Sequence, residues 1–144
     1  MRVLLTALAL GWALSAPLTA RAGDESLAPA DANAIHQVIE NQIDAFRHDD
    51  GATAFGFASP SIQEKFGDPG HFMAMVKTGY PQVYRPKSVE FEDLSVEDVG
   101  PVQNVRVVGP DGVPVLMIYL MQKQPDGSWR INGVYMTQAP DQSV

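Results

Sequence analysis

The stretch GYPQVYRP at residues 79–86 brings together side chains that could recognise a small molecule. The residue before a proline is disfavoured in the helical region, which predicts an extended backbone at Tyr80 and Arg85. An aromatic ring and a guanidinium would then be fixed near the mouth of a pocket, where the guanidinium could bind a carboxylate through two hydrogen bonds. The structural alternative is that the two tyrosines close the core while Arg85 pairs with Glu90 or Glu92.

Residues able to perform acid–base chemistry are few. An isomerase-like site needs a carboxylate inside a cavity, facing a tyrosine or a protonated acid. The predicted inward face of the main helix carries no titratable residue, and Asp44 points outward by periodicity. The chain contains no cysteine, and no serine lies in a nucleophile-elbow pattern. Tyr80, Tyr119 and His36 are the candidates for an acid or base in a small lyase or isomerase acting on a hydrophobic substrate.

The sequence predicts neither a metal site nor a cofactor. The three histidines do not have the spacing of zinc ligands. The acidic run of residues 90–98 lacks the alternating Asp/Asn-Gly pattern of a calcium loop. A charged edge strand that discourages aggregation between sheets accounts for this run.

One amphipathic helix over residues 31–48 must position the candidate site. At 100° per residue, six side chains fall on one broad face: Val38, Ile39, Gln42, Ile43, Ala45 and Phe46. Asp31 is the predicted N-cap. Gln42 either ties the helix to a strand, since buried amides need partners, or faces a cavity.

The rest of the chain predicts short helices and then strands. Asp50, Ser59-Pro60 and Asp68-Pro69 are helix-start signals, and Gly79 is expected to end the third short helix in the left-handed conformation. Four β-type runs follow, separated by turn signals. They cover residues 83–99, 102–109, 115–124 and 129–137. The plan is α+β, a single domain over residues 31–138 with a disordered lead-in at 23–30 and a tail at 139–144.

The run at residues 115–124 is apolar on both faces. An antiparallel sheet normally leaves one face in water. A second apolar face predicts either a homodimer through the sheet or a strand fully covered by the short helices and the termini.

The N-terminus has the pattern of a cleavable export signal. Arg2 precedes an apolar core at residues 3–14, and Ala20-Arg21-Ala22 is a small-residue cleavage site. The sequence therefore predicts a periplasmic or secreted protein, without a membrane segment after cleavage following Ala22. The mature chain would have 8 basic and 17 acidic residues, a net charge of −9, which argues against binding nucleic acid or anionic membranes.

Several segments resemble a known family. The runs FASPSIQEKFG, GYPQVYRP and WRINGV, within a likeness covering about residues 31–136, closely resemble a small secreted proteobacterial family known as domain of unknown function 4864. The element order is also similar to the cystatin-like cone of the nuclear transport factor 2 and ketosteroid isomerase superfamily. The close family implies no activity, and the superfold hosts isomerases, dehydratases and non-catalytic binders.

In such a cone, a cavity lies between the curved four-stranded sheet and the helices. The candidate pocket residues are aromatic or polar: Gln42, Phe46, Phe55, Tyr80, Tyr84, Arg85, Tyr119 and Tyr135, with Trp129 as a further aromatic. The sequence thus favours a non-catalytic module that binds a small apolar or acidic ligand, or that dimerises.

Overall fold

The computed structural model describes residues 27–140. Five helices come first: α1 (Pro29–Arg47), α2 (Gly51–Gly56), α3 (Pro60–Phe66), α4 (Pro69–Gly79) and α5 (Pro81–Tyr84). Four strands follow: β1 (Ser88–Glu97), β2 (Gly100–Val108), β3 (Pro114–Lys123) and β4 (Trp129–Gln138). The α+β prediction is confirmed. The predicted signal at 1–22, the lead-in at 23–26 and the tail at 141–144 lie outside the described residues.

Helix α1 begins earlier than predicted. Pro29 occupies its first turn and Ala28 is the N-cap, without a side-chain cap. Proline suits this position because its missing N–H would have had no helical partner. The prediction of Asp31 as N-cap is therefore wrong. Its carboxylate instead accepts the indole N–H of Trp129 at 3.0 Å and lies 3.2 Å from the ammonium of Lys123.

The three predicted start signals of the short helices are confirmed. The side chains of Asp50, Ser59 and Asp68 each accept a backbone N–H from the first turn of α2, α3 and α4, respectively. Gly79 does not behave as predicted. It is the last residue of α4 and has no positive φ, because Tyr80 both ends α4 and precedes the short helix α5.

The sheet is an antiparallel meander in the order β1-β2-β3-β4. Strand β1 starts at Ser88, five residues later than predicted, because residues 81–84 form α5 rather than strand. Two register shifts interrupt the ladder, one in β1 between Phe91 and Leu94 and one opposite the Leu120–Met121 step of β3. Such bulges bend a strand and increase its twist locally.

The core lies between α1 and one face of the sheet. From α1, the side chains of Ile35, Ile39, Ile43 and Phe46 are buried. They belong to one apolar cluster with inward-facing strand residues: Val105, Val107, Met117, Tyr119, Met121, Trp129 and Ile131. Their alternation along the strands follows the two-residue repeat of a β-strand. None of the helices within residues 27–140 has the length and apolar character needed to cross a membrane.

The contact of Asp31 with the β3–β4 hairpin makes folding stability depend on pH. The indole of Trp129, and then the ammonium of Lys123, hold the pKa of Asp31 below its ordinary value of 3.8. A depressed pKa in the folded state stabilises the protein above pH 3.8, and that contribution is lost as the pH falls through the folded-state pKa. Asp31→Asn should therefore lower the free energy of unfolding at pH 7, with a smaller difference from wild type near pH 3.

Urea unfolding at the two pH values measures this difference. Asp98→Asn, which removes a carboxylate from the β1–β2 turn, is the control and should change little at either pH. An Asp31→Asn deficit that is as large at pH 3 as at pH 7 would contradict the account.

Candidate functional site

A cavity of about 400 Å³ lies beneath the helices, against the third and fourth strands. Its walls are mostly apolar and aromatic. They come from α1 (Gln42, Phe46), the α2–α3 connection (Ala58), α3 (Ile62, Lys65, Phe66), α4 (Phe72, Met75, Val76), the segment around α5 (Tyr80, Val83), β3 (Tyr119) and β4 (Ile131 to Tyr135). A concave apolar site of this size with a few polar groups is typical of small-molecule pockets.

Tyr119 is the most unusual group in this wall. Its side chain is 1% exposed, and its hydroxyl has no hydrogen-bond partner within residues 27–140. Buried hydroxyls are almost always paired, since an unpaired one forfeits its hydrogen bonds to water. Burial also raises the pKa of the phenol. Tyr119 is therefore neutral at physiological pH, and its unpaired hydroxyl is enclosed within the wall of the cavity.

Two other polar groups of the wall are already engaged by the protein. Gln42 is 4% exposed, and its Nε2 donates to the carbonyl of Ala54 at 3.1 Å. The sequence suggested that this amide either ties α1 to a strand or faces a cavity. It lines the cavity, and its hydrogen bond ties α1 to α2 instead of to a strand. The hydroxyl of Tyr80 donates to the carbonyl of Val134 at 3.2 Å. Both side chains thus hold the wall together.

The strand side of the cavity is shaped by a bulge in β4. Leu120 pairs with Gly133 and Met121 pairs with Ile131, which leaves Asn132 without a partner in the ladder. The hydroxyl of Ser59 donates to Oδ1 of Asn132 at 2.7 Å. Backbone bonds between β4 and the α2–α3 connection flank this contact, at 2.8 Å each. The bulge therefore holds the start of α3 against the sheet.

The cavity opens between α3 and β4. Lys65 on α3 is exposed, as is Tyr135 on β4, whereas the lining residues from α1 and β3 are buried. Phe66 and Tyr80 lie between these extremes. Lys65 is the one charged residue among those that line the cavity, and no carboxylate or imidazole side chain from residues 27–140 lines it.

Five of the eight predicted pocket residues line this cavity, and three do not. Gln42, Phe46, Tyr80, Tyr119 and Tyr135 lie in its wall. Phe55 instead packs against Phe72, with ring centroids 5.4 Å apart. Tyr84, the last residue of α5, and Arg85 pack beside the C-terminal end of α1. A role in ligand binding stays a prediction for all eight.

Arg85 pairs with an acidic residue, as the structural alternative expected, but the partner is Asp49. Its guanidinium donates to the carbonyl of Phe46 at 2.5 Å and to Asp49 Oδ2 at 2.9 Å, and stacks 3.9 Å from the ring centroid of Tyr84. The Tyr84 hydroxyl also donates to Asp49, which holds the pKa of this carboxyl below its usual range, with Arg85 a further cause. The predicted alternative partners were wrong, since Glu92 pairs with Arg106.

The remaining candidates for chemistry lie outside the cavity. His36 stacks on Phe91, with ring centroids 3.7 Å apart, and Trp129 is bound to Asp31. Within the part of the chain that the structure describes, no three His, Cys, Asp or Glu side chains are grouped so as to hold a metal ion.

Several lining residues were missed by sequence reasoning. Half of them come from α3 and α4: Ile62, Lys65, Phe66, Phe72, Met75 and Val76. The spacings of four between Ile62 and Phe66 and between Phe72 and Val76 place each pair on one helix face, and this signal could have located them. Gly133 within a strand is a recognised sign of a bulge or of close packing.

Comparison with known proteins agrees with the resemblance noted in the sequence. Residues 28–144 match the family described as Domain of unknown function (DUF4864). The chain belongs to this family. No curated protein and no solved structure matches it significantly. The likeness of this DUF4864 protein to the cystatin-like cone therefore stays a prediction, while its helices and four-stranded antiparallel sheet agree with the expected class.

Removing the hydroxyl from each of two tyrosines in the cavity wall should change the free energy of unfolding in opposite directions. Tyr119→Phe removes an unpaired buried hydroxyl and should raise the free energy of unfolding of the ligand-free protein by about 1 kcal/mol. Tyr80→Phe removes the bond to the carbonyl of Val134 and should lower it by about 1 kcal/mol.

Chemical denaturation of the delipidated wild type and both variants measures these differences. Because each substitution removes the same atom, the Tyr80 variant is the matched control for the Tyr119 variant. A clear loss of stability in Tyr119→Phe would show that its hydroxyl is satisfied in the empty protein and would contradict this description of the cavity.

Proposed function

We propose that this DUF4864 protein binds a small, largely apolar molecule in the cavity between its helices and sheet. The observation that carries the proposal is the wall of aromatic and aliphatic side chains around a cavity of about 400 Å³. A ligand that fills this space removes its own apolar surface and that of the wall from water, which is favourable by about 25 cal/mol per Å².

The cavity volume limits the size of the ligand. A water-sized group takes up about 30 Å³ in a liquid, so a cavity of about 400 Å³ holds on the order of a dozen such groups. A medium-length acyl chain or a small ring system fits this limit. A two-chain lipid would leave much of its apolar surface in water.

Binding is better supported than catalysis. The alternative function, a lyase or isomerase acting on a hydrophobic substrate, needs a general base beside the substrate. Tyr119 and Tyr80 line the cavity, but the raised pKa of Tyr119 makes this phenol a donor rather than a base, and the Tyr80 hydroxyl donates to a backbone carbonyl. Of the residues that the structure describes, those lining the cavity include neither a carboxylate nor an imidazole.

A bulky side chain in the wall should block binding. Met75→Trp places an indole in the cavity, whereas Met136→Trp makes the same change at a β4 residue that does not line it and is 43% exposed. The neutral fluorescent probe N-phenyl-1-naphthylamine should gain fluorescence with wild type and with Met136→Trp, and about ten-fold less with Met75→Trp, since filling the cavity excludes the probe.

Thermal unfolding of both variants confirms that they are folded before the titration. Equal fluorescence gains for the two tryptophan variants would place the probe elsewhere on the protein. Lack of any gain with folded wild type would count against the proposed function.

We also propose that the protein is exported and that two copies pair through the outer face of the sheet. Export is supported by the signal-like sequence at residues 1–22. Pairing is supported by Leu116, Ile118 and Leu120, which lie on the face opposite the core and remain partly exposed.

Native mass spectrometry of the protein expressed with its full N-terminus tests both proposals in one measurement. The expected result is a dimer whose subunits begin at residue 23. Ile118→Glu should convert it to a monomer, because a carboxylate in an apolar contact is costly to bury, while Val113→Glu at an exposed loop should leave the dimer intact. A wild-type monomer would overturn the pairing, and an uncleaved N-terminus would overturn the export.

A further inference from the structure

We propose that the natural occupant of the cavity is an amphipathic monoanion, with its acidic group at Lys65 and its apolar body in the closed end. This inference rests on the proposed function and adds the charge and orientation of the ligand. It follows from where the charges of the chain lie relative to the cavity.

The charge that lines the cavity is positive, whereas the net charge of the chain is negative. The sequence has 17 acidic and 10 basic residues, yet among residues 27–140 Lys65 is the one charged side chain that lines the cavity. A cationic ligand would find no carboxylate there to neutralise it. A carboxylate ligand would find an ammonium at the opening, where charge need not be fully desolvated.

The ammonium of Lys65 is available to a ligand. No carboxylate of residues 27–140 lies within ion-pair distance of it, whereas Lys123 and Arg85 are each paired with an aspartate. Its contact within the described residues is with the neighbouring ring of Phe66, 5.6 Å from the ring centroid. An exposed lysine without an anionic partner can turn toward a bound acid at small cost.

The gradient of burial along the cavity sets the orientation. Lys65 and Tyr135 are exposed at the open end, and Phe46, Phe72 and Tyr119 are buried at the closed end. An acid with an apolar body fits this gradient when its carboxylate lies beside the ammonium of Lys65 and its apolar part lies in the buried end of the cavity.

A headgroup series with one chain length tests the charge of the ligand. Isothermal titration with decanoate, 1-decanol and decylammonium compares an anion, a neutral molecule and a cation of nearly equal size. Wild type should bind decanoate more tightly than decanol by about two- to five-fold, the range of an exposed ion pair, and decylammonium more weakly than either. The preference should shrink as salt is added, since exposed charges are screened.

Variants of Lys65 separate the local charge from the net charge of the protein. Lys65→Gln should make decanoate and decanol equivalent, and Lys65→Glu should reverse the order in favour of decylammonium. Lys77→Gln makes the same change of net charge on α4, at a lysine that does not line the cavity, and should behave as wild type.

The outcomes distinguish the inference from the proposed function. Equal binding of decanoate and decanol by wild type, with binding still blocked in Met75→Trp, would overturn the anionic ligand and leave the binding function standing. An equal loss of decanoate affinity in Lys77→Gln and Lys65→Gln would also overturn it. Binding of none of the three compounds, together with no response to the neutral probe, would overturn both.

Discussion

The packing of α1 against one face of the sheet is the contact on which the rest of this structure depends. It buries Ile35, Ile39 and Ile43 almost completely, and each such side chain contributes about 1.5–3 kcal/mol. Both ends of the helix are also held by polar contacts. Asp31 binds the β3–β4 hairpin near one end, and Arg85 binds the carbonyl of Phe46 near the other. The helix is therefore fixed in place along its whole length.

The cavity follows from this arrangement. Because α1 covers the sheet on one side, the remaining part of the inner face is covered by short helices whose side chains do not fill the space. The β4 bulge and the Ser59–Asn132 contact hold the start of α3 against the sheet. Tyr119 lies in the wall of this space, fully buried, and its hydroxyl has no hydrogen-bond partner within residues 27–140. In proteins, such an exception to complete hydrogen bonding points to a ligand or to bound water.

The order of helices and strands could be predicted because it depends on local signals. Side-chain periodicity, capping residues before prolines and Asp-Gly turns all act within a few residues. The conformation of residues 79–86 could not be read in the same way. Proline restricts the residue before it, but it also favours the start of a helix, and the second effect prevailed at Pro81. As a result Tyr84 and Arg85 lie at the end of α1, away from the cavity.

The composition of the cavity wall was harder to predict than the fold, for a physical reason. A helix face with apolar side chains at regular spacing can pack in a filled core or line a cavity. The packing of elements distant in sequence decides between the two, and the spacing itself is the same in both cases. The sequence identified Tyr119 and Gln42 as candidates. It could not show that, within residues 27–140, the hydroxyl of Tyr119 has no hydrogen-bond partner whereas the amide of Gln42 has one. Lys65 carries no signal in the sequence, because an isolated lysine near the end of a short helix is ordinary.

Methyl NMR of the methionines tests the central claim most directly. Met75 lines the cavity, Met73 and Met117 lie in the neighbouring core, and Met136 is exposed elsewhere on β4. Titrating decanoate into methyl-labelled protein should shift the Met75 signal most, produce nuclear Overhauser contacts between its methyl group and the ligand chain, and leave Met136 unchanged. A Met75 signal that stays in place at saturating decanoate, or a shift confined to Met136, would show that the cavity does not bind it.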